Sequence, residues 1–231
     1  MFVPFIPKQK STKQKLFAFC AAALIFAACN NEKKEDGNKD KSGTTSVSEE
    51  TNKEEPWVPV DSATMMAKMM EYGTPGPMHT MMASWNGNWN TESTMWQYEG
   101  AQPEKSNGTA VNSMIMGGKY QSGKYSGNMM GMPFEGMSIM GYDNATKKFS
   151  SSWIDTWSTG IGNMSGTWDE ATKSLTLTGK TPDICRPGKE CTMREVYKVV
   201  DENTHIMEMY GPDPKTGKEM KMFEIKFARK K

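Results

Sequence analysis

The sequence has few of the residues on which most enzyme chemistry depends. Among 231 residues there are two histidines, His79 and His205, so a Ser-His-Asp triad would have to use one of them. The Gly-x-Ser-x-Gly and His-Glu-x-x-His motifs are absent, and so is a phosphate-binding glycine loop. Catalysis therefore has little support, and no cofactor or metal is expected. A hydrolase that uses only the carboxylates Glu135 and Asp155 is the remaining enzymatic alternative.

The chain also lacks an excess of charge of either sign. Its 28 basic and 27 acidic residues give a net charge of +1, and they are spread along the whole sequence. Without a basic stripe, a nucleic-acid partner is not expected.

A single long apolar run is present, residues 16–29 (LFAFCAAALIFAAC), and lysines precede it. Its apolar core is shorter than the roughly 20 residues of a spanning helix and is typical of a secretory signal. The final FAAC resembles a bacterial lipobox, in which the cysteine, here Cys29, receives a lipid. Phe26 departs from the leucine that such boxes usually carry. An ordinary signal peptide or a short anchor is the alternative.

Residues 30–56 are polar and charged, and Val47 is their only aliphatic residue. Such a segment cannot bury enough apolar surface to offset its ordering entropy, so it should be disordered. We therefore predict a signal peptide over residues 1–28, a lipidated tether over 29–56 and a folded domain over 57–231. Asn30 after the cysteine resembles the pattern that permits export to an outer membrane. The implied partner is thus the membrane, through the anchor at Cys29, in the bacterial cell envelope.

Cysteine is scarce in the folded part. Of the four cysteines, Cys20 lies in the signal and Cys29 in the lipobox, which leaves Cys185 and Cys191 on either side of RPGKE. In an oxidising envelope this spacing favours a disulfide that closes a hairpin. A metal pair or a redox couple is the alternative, although the Cys-x-x-Cys spacing and further ligands are absent.

Helical patterns are confined to the start of the domain. Asp61 can cap a helix over 62–73, in which Met65, Met66, Met69 and Met70 share one stripe and Gly73 is a stop. A second short helical turn is predicted within residues 79–87.

The rest of the domain alternates with a period of two and is punctuated by Gly, Asn and Asp, which indicates strands and hairpins. The predicted strands are Asn88–Glu99, Gly108–Met116, Tyr120–Met129, Phe134–Tyr142, Lys148–Asp155, Gly162–Trp168, Leu175–Lys180, Thr192–Val200, His205–Tyr210 and Glu219–Ala228. About ten sequential antiparallel strands favour closure into an all-β, up-and-down barrel, because an open sheet would leave two edges. A half-barrel or a β-sandwich is the alternative.

Several blocks of this domain resemble a bacterial family of unknown function, DUF1579. They include TPGPMHTMMASWNGNW, GMPFEGMSIMGYDNATKKF, GTWDEATKSLTLTGK and REVYKVVDE, in the family's order between Thr74 and Lys231. The chain departs from the family in its many methionines and in the loop between Cys185 and Cys191. The resemblance supports the fold and carries no established reaction.

The sequence also resembles the lipocalin-like barrels, which begin with Gly-x-Trp and stack a late arginine across that tryptophan. Gly87, Trp89 and Arg229 occupy the corresponding places. The resemblance implies a barrel that binds a small apolar ligand in its mouth.

The candidate ligand-binding residues centre on the strand Trp153-Ile154-Asp155-Thr156-Trp157. Alternation puts Trp153, Asp155 and Trp157 on one face, and a desolvated Asp155 would need a cation, for which Arg194 is the preferred partner. The full set is His79, Trp89, Phe134, Glu135, Trp153, Asp155, Trp157 and Arg194. An Asp–Arg pair that merely sets strand register is the alternative.

Methionine is over-represented, with 22 residues. Thioethers together with His79 suit Cu(I), whereas pliable core packing is the simpler explanation. Copper is harder to dismiss for residues near turns, namely Met78, Met129, Met130 and Met132.

The sequence as a whole thus favours non-catalytic binding of a small hydrophobic or amphipathic molecule. A structural module with a packed lumen and Cu(I) binding are the alternatives. An internal cavity of roughly 300 Å³ or more would favour the ligand.

Overall fold

The computed structural model describes residues 56–231. Two helices come first, α1 (Ser62–Gly73) and α2 (Pro77–Ser84). Ten strands follow: β1 (Gly87–Met95), β2 (Glu104–Ile115), β3 (Tyr120–Met129), β4 (Met132–Asp143), β5 (Lys148–Asp155), β6 (Gly162–Asp169), β7 (Ser174–Pro182), β8 (Glu190–Asp201), β9 (Thr204–Pro212) and β10 (Glu219–Arg229). Within this range no helix is long and apolar enough to span a bilayer. The predicted signal peptide, Cys29 and the tether lie outside the described residues.

The two helices differ in how they relate to the barrel. The Asp61 carboxylate caps α1, accepting from the backbone N–H groups of Ala63 and Thr64 at 3.0 Å each, as predicted. No residue of α1 is buried, so its methionine stripe faces solvent. In α2, by contrast, Met82 is completely buried and packs into the main core.

The strands form a closed barrel. Each strand pairs with the next along the chain, and β10 returns to pair with β1, which sets Trp89 opposite Arg229. Closure leaves no sheet edge without a partner. The predicted antiparallel up-and-down barrel is confirmed, and the half-barrel and sandwich alternatives are wrong.

Aspartates at strand ends shape several of the turns. In each case the carboxylate accepts the backbone N–H two residues later, a short-range bond typical of such turns. The backbone N–H groups donate as follows: Ala145 to Asp143 at 2.8 Å, Ala171 to Asp169 at 2.8 Å, Asn203 to Asp201 at 2.8 Å and Lys215 to Asp213 at 2.7 Å. The polar connectors of the sequence are therefore turns with a specific cap.

The barrel has two different ends. At one, which we call the closed end, α2 covers the interior, and the Gln121 side-chain amide donates to the carbonyl of Met82 at 2.6 Å. The main core lies here and includes Trp85, Trp89, Phe149, Leu175, Leu177 and Phe227, each no more than 2% exposed. The other, which we call the open end, carries the connections that follow β1, β3, β5, β7 and β9.

Candidate ligand-binding site

The barrel encloses a cavity of about 400 Å³. Its deepest wall includes Trp85, and it extends past Tyr125 and Tyr197 to Met129 and Thr181, at the ends of β3 and β7. Ligand pockets in proteins range from roughly 300 to 1,000 Å³, so this volume suits a small molecule. The barrel's own side chains therefore do not fill its interior.

Polar and apolar side chains both line the cavity. Serine hydroxyls come from β1, β2, β4 and β5, namely those of Ser93, Ser106, Ser138 and Ser151. The side formed by β8, β9 and β10, which we call the apolar wall, carries Met193, Met207, Met209, Phe223, Ile225 and Phe227 together with the acidic Glu195. An amphipathic molecule can contact the hydroxyls and the apolar wall at once.

Aromatic rings form one side of the cavity. The Trp153 ring lies 5.2 Å from that of Tyr125 and 6.3 Å from that of Phe134, measured between ring centroids. Gly136 makes room for this arrangement, because any side chain there would collide with the indole of Trp153. Of the residues predicted from the sequence, the structure thus places Phe134 and Trp153 in the cavity wall.

Asp155 and Trp157 lie at the open end and have different roles. The Asp155 carboxylate accepts from Trp153 Nε1 at 2.7 Å and from the backbone N–H groups of Trp157 and Ser158 at 2.8 Å each. It therefore caps a turn, as the other strand-end aspartates do. Trp157 is 43% exposed and packs edge-to-face on Phe134.

Two predicted residues lie on the outside of the barrel. Arg194 donates to the Glu219 carboxylate at 2.9 and 2.6 Å and stacks on Tyr210. Glu135 is exposed. The predicted Asp155–Arg194 pair is therefore wrong, because the Arg194 side chain lies on the outer face of β8. The carboxylates of Glu135 and Asp155 likewise do not meet in the cavity.

His79 and Trp89 belong to the closed end. His79 is buried, and its Nδ1 accepts the backbone N–H of Gly76 at 3.0 Å, which closes the first turn of α2. Trp89 has no exposed surface and does not line the cavity. Both side chains thus support the barrel and do not form a ligand wall.

Gly87, Trp89 and Arg229 form the arrangement that the lipocalin-like resemblance implies. The Arg229 guanidinium lies 4.2 Å from the Trp89 ring centroid and donates to the carbonyls of Ser84, Asn86 and Glu202. Gly87 has a φ of +136°, and a Cβ there would lie 2.5 Å from Arg229 Nη1. This cluster, which we call the arginine clasp, joins the end of α2 to the last strand.

His205 lies beside the clasp. It is 1% exposed, its Nδ1 is 2.6 Å from the Tyr197 hydroxyl, and its ring centroid is 4.6 Å from that of Trp89. Burial, followed by the nearby charge of Arg229, lowers the pKa of His205 to about 4. The imidazole is therefore neutral at physiological pH.

Sequence reasoning missed the one acidic group in the cavity wall, Glu195. It lines the cavity from β8 between Met193 and Tyr197. Burial raises its pKa to about 7. The sequence pattern could have identified Glu195. It is the one charged residue among the alternating positions Met193, Glu195, Tyr197 and Val199, which share one face of the strand.

Three of the four methionines singled out for copper lie on one turn, and Met78 lies elsewhere. Met78 packs against the core of the closed end, whereas Met129, Met130 and Met132 flank the turn between β3 and β4 at the open end. Within residues 56–231, no group of three or more His, Cys, Asp or Glu could hold a metal ion. Of these four methionines, Met78 packs on the core, whereas Met130 and Met132 are about half exposed.

The predicted disulfide is not formed in this structure. Cys185 and Cys191 are free thiols. The backbone of Cys185 belongs to a turn that Asp183 caps at 3.0 Å, whereas Cys191 lies on β8 with its Sγ 3.7 Å from the carbonyl oxygen of Thr181. Cys185 thus lies in the turn of the β7–β8 hairpin and Cys191 on its second strand.

Two solved structures are similar to this chain. The solved structure of Rv2717c from M. tuberculosis superposes with a TM-score of 0.51 at 12% identity, covering 68% of this chain and 100% of that chain. The S-type phycobiliprotein lyase CPES from Guillardia theta gives a TM-score of 0.48 at 10% identity, over 67% of this chain and 93% of that chain. At these identities the likeness to Rv2717c concerns the fold alone. No curated protein matches the chain.

A family model described as "Protein of unknown function (DUF1579)" matches residues 74–229. The match begins just after α1 and includes α2, all ten strands and Arg229 of the clasp. The chain therefore belongs to the DUF1579 family.

Proposed function

We propose that the barrel binds one small hydrophobic or amphipathic molecule in its cavity without transforming it chemically. The observation that carries this proposal is the cavity of about 400 Å³, which is lined by serine hydroxyls as well as by aromatic and methionine side chains. A module whose barrel serves only as a scaffold would fill this space with side chains. Flexible Met193, Met207 and Met209 allow the apolar wall to adapt to a ligand.

Neighbouring serines on β5 provide a matched test. Ser151 lines the cavity, whereas Ser152 donates to the Asn163 side chain on the exposed side and pairs in register with Ile139, which is 43% exposed. A tryptophan at position 151 therefore fills the cavity, and a tryptophan at 152 leaves it unchanged.

Binding is measured by titrating the protein with N-phenyl-1-naphthylamine, whose fluorescence rises in apolar surroundings. We expect Ser151→Trp to weaken binding at least about tenfold, the equivalent of 1.4 kcal/mol, and Ser152→Trp to leave it unchanged. Equal binding by both variants and the parent would contradict the proposal. Native mass spectrometry of protein purified from the envelope would identify a co-purified ligand.

The proposal includes a location outside the cytosol, with the barrel held on a polar tether from a lipid at Cys29. The lysine-rich lead, the short apolar run and the FAAC sequence support it. Labelled palmitate should be incorporated by the parent and by Cys20→Ser, and not by Cys29→Ser. Incorporation by Cys29→Ser would contradict the anchor.

A further inference from the structure

Glu195 lines the cavity and has no side-chain partner among the described residues. It alternates with Met193 and Tyr197, which also line the cavity, whereas its neighbour Arg194 pairs with Glu219 outside. Within residues 56–231 its carboxylate makes no hydrogen bond or ion pair. The residues that face it across the sheet, Leu177 and Met209, are apolar. A charged carboxylate in such surroundings is costly unless a donor or a cation approaches it.

The rest of the cavity wall offers no cation to Glu195. Among residues 56–231, the only other charged residue lining it is Lys180, whose side chain is 71% exposed and whose Nζ lies 3.7 Å from the Glu190 carboxylate. Tyr125 and Tyr197, which also line the cavity, are neutral, because burial raises the pKa of Tyr125 to about 12 and that of Tyr197 well above its usual value. With a pKa of about 7, the Glu195 carboxyl is partly neutral in the empty cavity, and a cation that a ligand supplies would stabilise its charged form.

A second acceptor in the cavity also lacks a donor. Asn112 is 6% exposed and lines the cavity near the closed end, and its Nδ2 donates to the carbonyl of Trp85 at 3.4 Å. Its Oδ1 is the one buried side-chain polar atom among the described residues without a hydrogen-bond partner. A buried acceptor without a donor carries an uncompensated desolvation cost. Two independent groups in the same cavity thus require hydrogen-bond donors.

We infer that the cavity selects molecules with an apolar body and a protonated amine, whose nitrogen donates to the Glu195 carboxylate while the body packs against Met207, Met209 and Phe227. This inference rests on the proposed function. A molecule with a carboxylate head would place a like charge beside Glu195 and is rejected. An uncharged alcohol matches the apolar wall but leaves the carboxylate without its counter-charge.

The test compares decylamine, decanol and decanoate, which share one apolar chain, as competitors of N-phenyl-1-naphthylamine on the full-length protein. Because a charge-assisted hydrogen bond is roughly twice as strong as a neutral one, decylamine should bind at least about tenfold more tightly than decanol. Decanoate should bind most weakly.

Variants then assign the preference to one residue. Glu195→Gln keeps the shape of the side chain and should weaken decylamine at least about tenfold, while decanol binding changes little. Glu92→Gln, on an exposed outward position of β1, is the control and should leave all three affinities unchanged.

The outcomes separate this inference from the proposed function. Equal affinities for decylamine and decanol in the parent, or an undiminished amine preference in Glu195→Gln, would overturn the inference while leaving a ligand-binding barrel. Failure of the dye and all three competitors to bind would overturn the proposed function itself.

Discussion

At the scale of single residues, His205 shows how burial sets a charge state. Its folded pKa of about 4 lies below its ordinary value of 6.5, because the ring is enclosed by Trp89 and Tyr197 and faces the charge of Arg229. Between these two pH values the unfolded chain binds more protons at this residue than the folded chain does. The free energy of unfolding must therefore fall as the pH is lowered through this interval.

In the His205→Gln variant, we expect the free energy of unfolding to fall less between pH 6.5 and pH 4 than it does in the parent. Stability linked to His205 is fully present above pH 6.5 and is lost as the pH approaches 4. Urea unfolding of parent and variant at several pH values in this interval measures the difference. Glu195 has the opposite effect, since its raised pKa makes the free energy of unfolding fall as the pH rises toward 7. Both proteins contain Glu195, so its contribution cancels in the difference between them. An identical pH dependence in both would contradict the assignment.

At the scale of elements, the two helices are related unequally to the barrel. Helix α2 closes one end with Met82 and Trp85, whereas α1 buries none of its residues. Helix α1 is held near its C-terminal end, where the Asn144 side chain donates to the carbonyls of Tyr72 and Thr74 at 2.9 and 2.8 Å. The stability of the domain therefore depends on α2.

A matched pair of methionines tests this difference. Met82 is 0% exposed and Met69 is 61% exposed. Met82→Ala should lower the free energy of unfolding by about 2–5 kcal/mol, because it leaves a cavity beside Trp85. Met69→Ala should change it by no more than about 0.5 kcal/mol. Comparable losses in urea unfolding would show that α1 also packs on the barrel.

The arginine clasp gives a second prediction at this scale. Gly87→Ala should destabilise the domain by about 1–3 kcal/mol, because alanine is strained at the positive φ and its Cβ would displace Arg229. Gly100→Ala shares the positive φ but meets no atom within 4 Å, so it isolates the backbone strain. If both variants unfold at the same urea concentration, displacement of Arg229 contributes nothing.

At the scale of the whole molecule, closure is the property on which the barrel depends. The pairing of β10 with β1 completes the ring and brings Phe227 and Arg229 to Trp89. Without β10, both β1 and β9 would become exposed edges, which are templates for aggregation.

Two deletions of similar length should therefore behave differently. Removal of residues 57–73, which contain α1, should leave a monomeric protein with an unchanged β-type circular dichroism spectrum. Removal of residues 219–231, which contain β10, should abolish cooperative unfolding and produce aggregates in size-exclusion chromatography. A soluble, cooperatively folding protein without β10 would contradict the importance of closure.

Local sequence patterns were sufficient to predict the helices and strands, but they were insufficient to predict which residues line the cavity. Alternation predicted all ten strands, and Asp61 predicted the start of α1. On β8, however, one series contains Thr192, Arg194, Val196 and Lys198 and the other Met193, Glu195, Tyr197 and Val199. Each series mixes apolar and polar residues, so the sequence does not show which series faces the barrel interior. The prediction that Arg194 points inward is therefore wrong by one residue, because the adjacent Glu195 does so.

The order of strands, the signal-like run before Cys29 and the membership of the family follow from the residues alone, because period, turn chemistry and motif order are local properties of a chain. The closed barrel alone decided three outcomes. Glu195 is the carboxylate that enters the cavity, Asp155 caps a turn, and Trp89 supports the closed end. These outcomes depend on which face of each strand points inward and how far it lies from α2. Only the pairing of strands distant in sequence determines both.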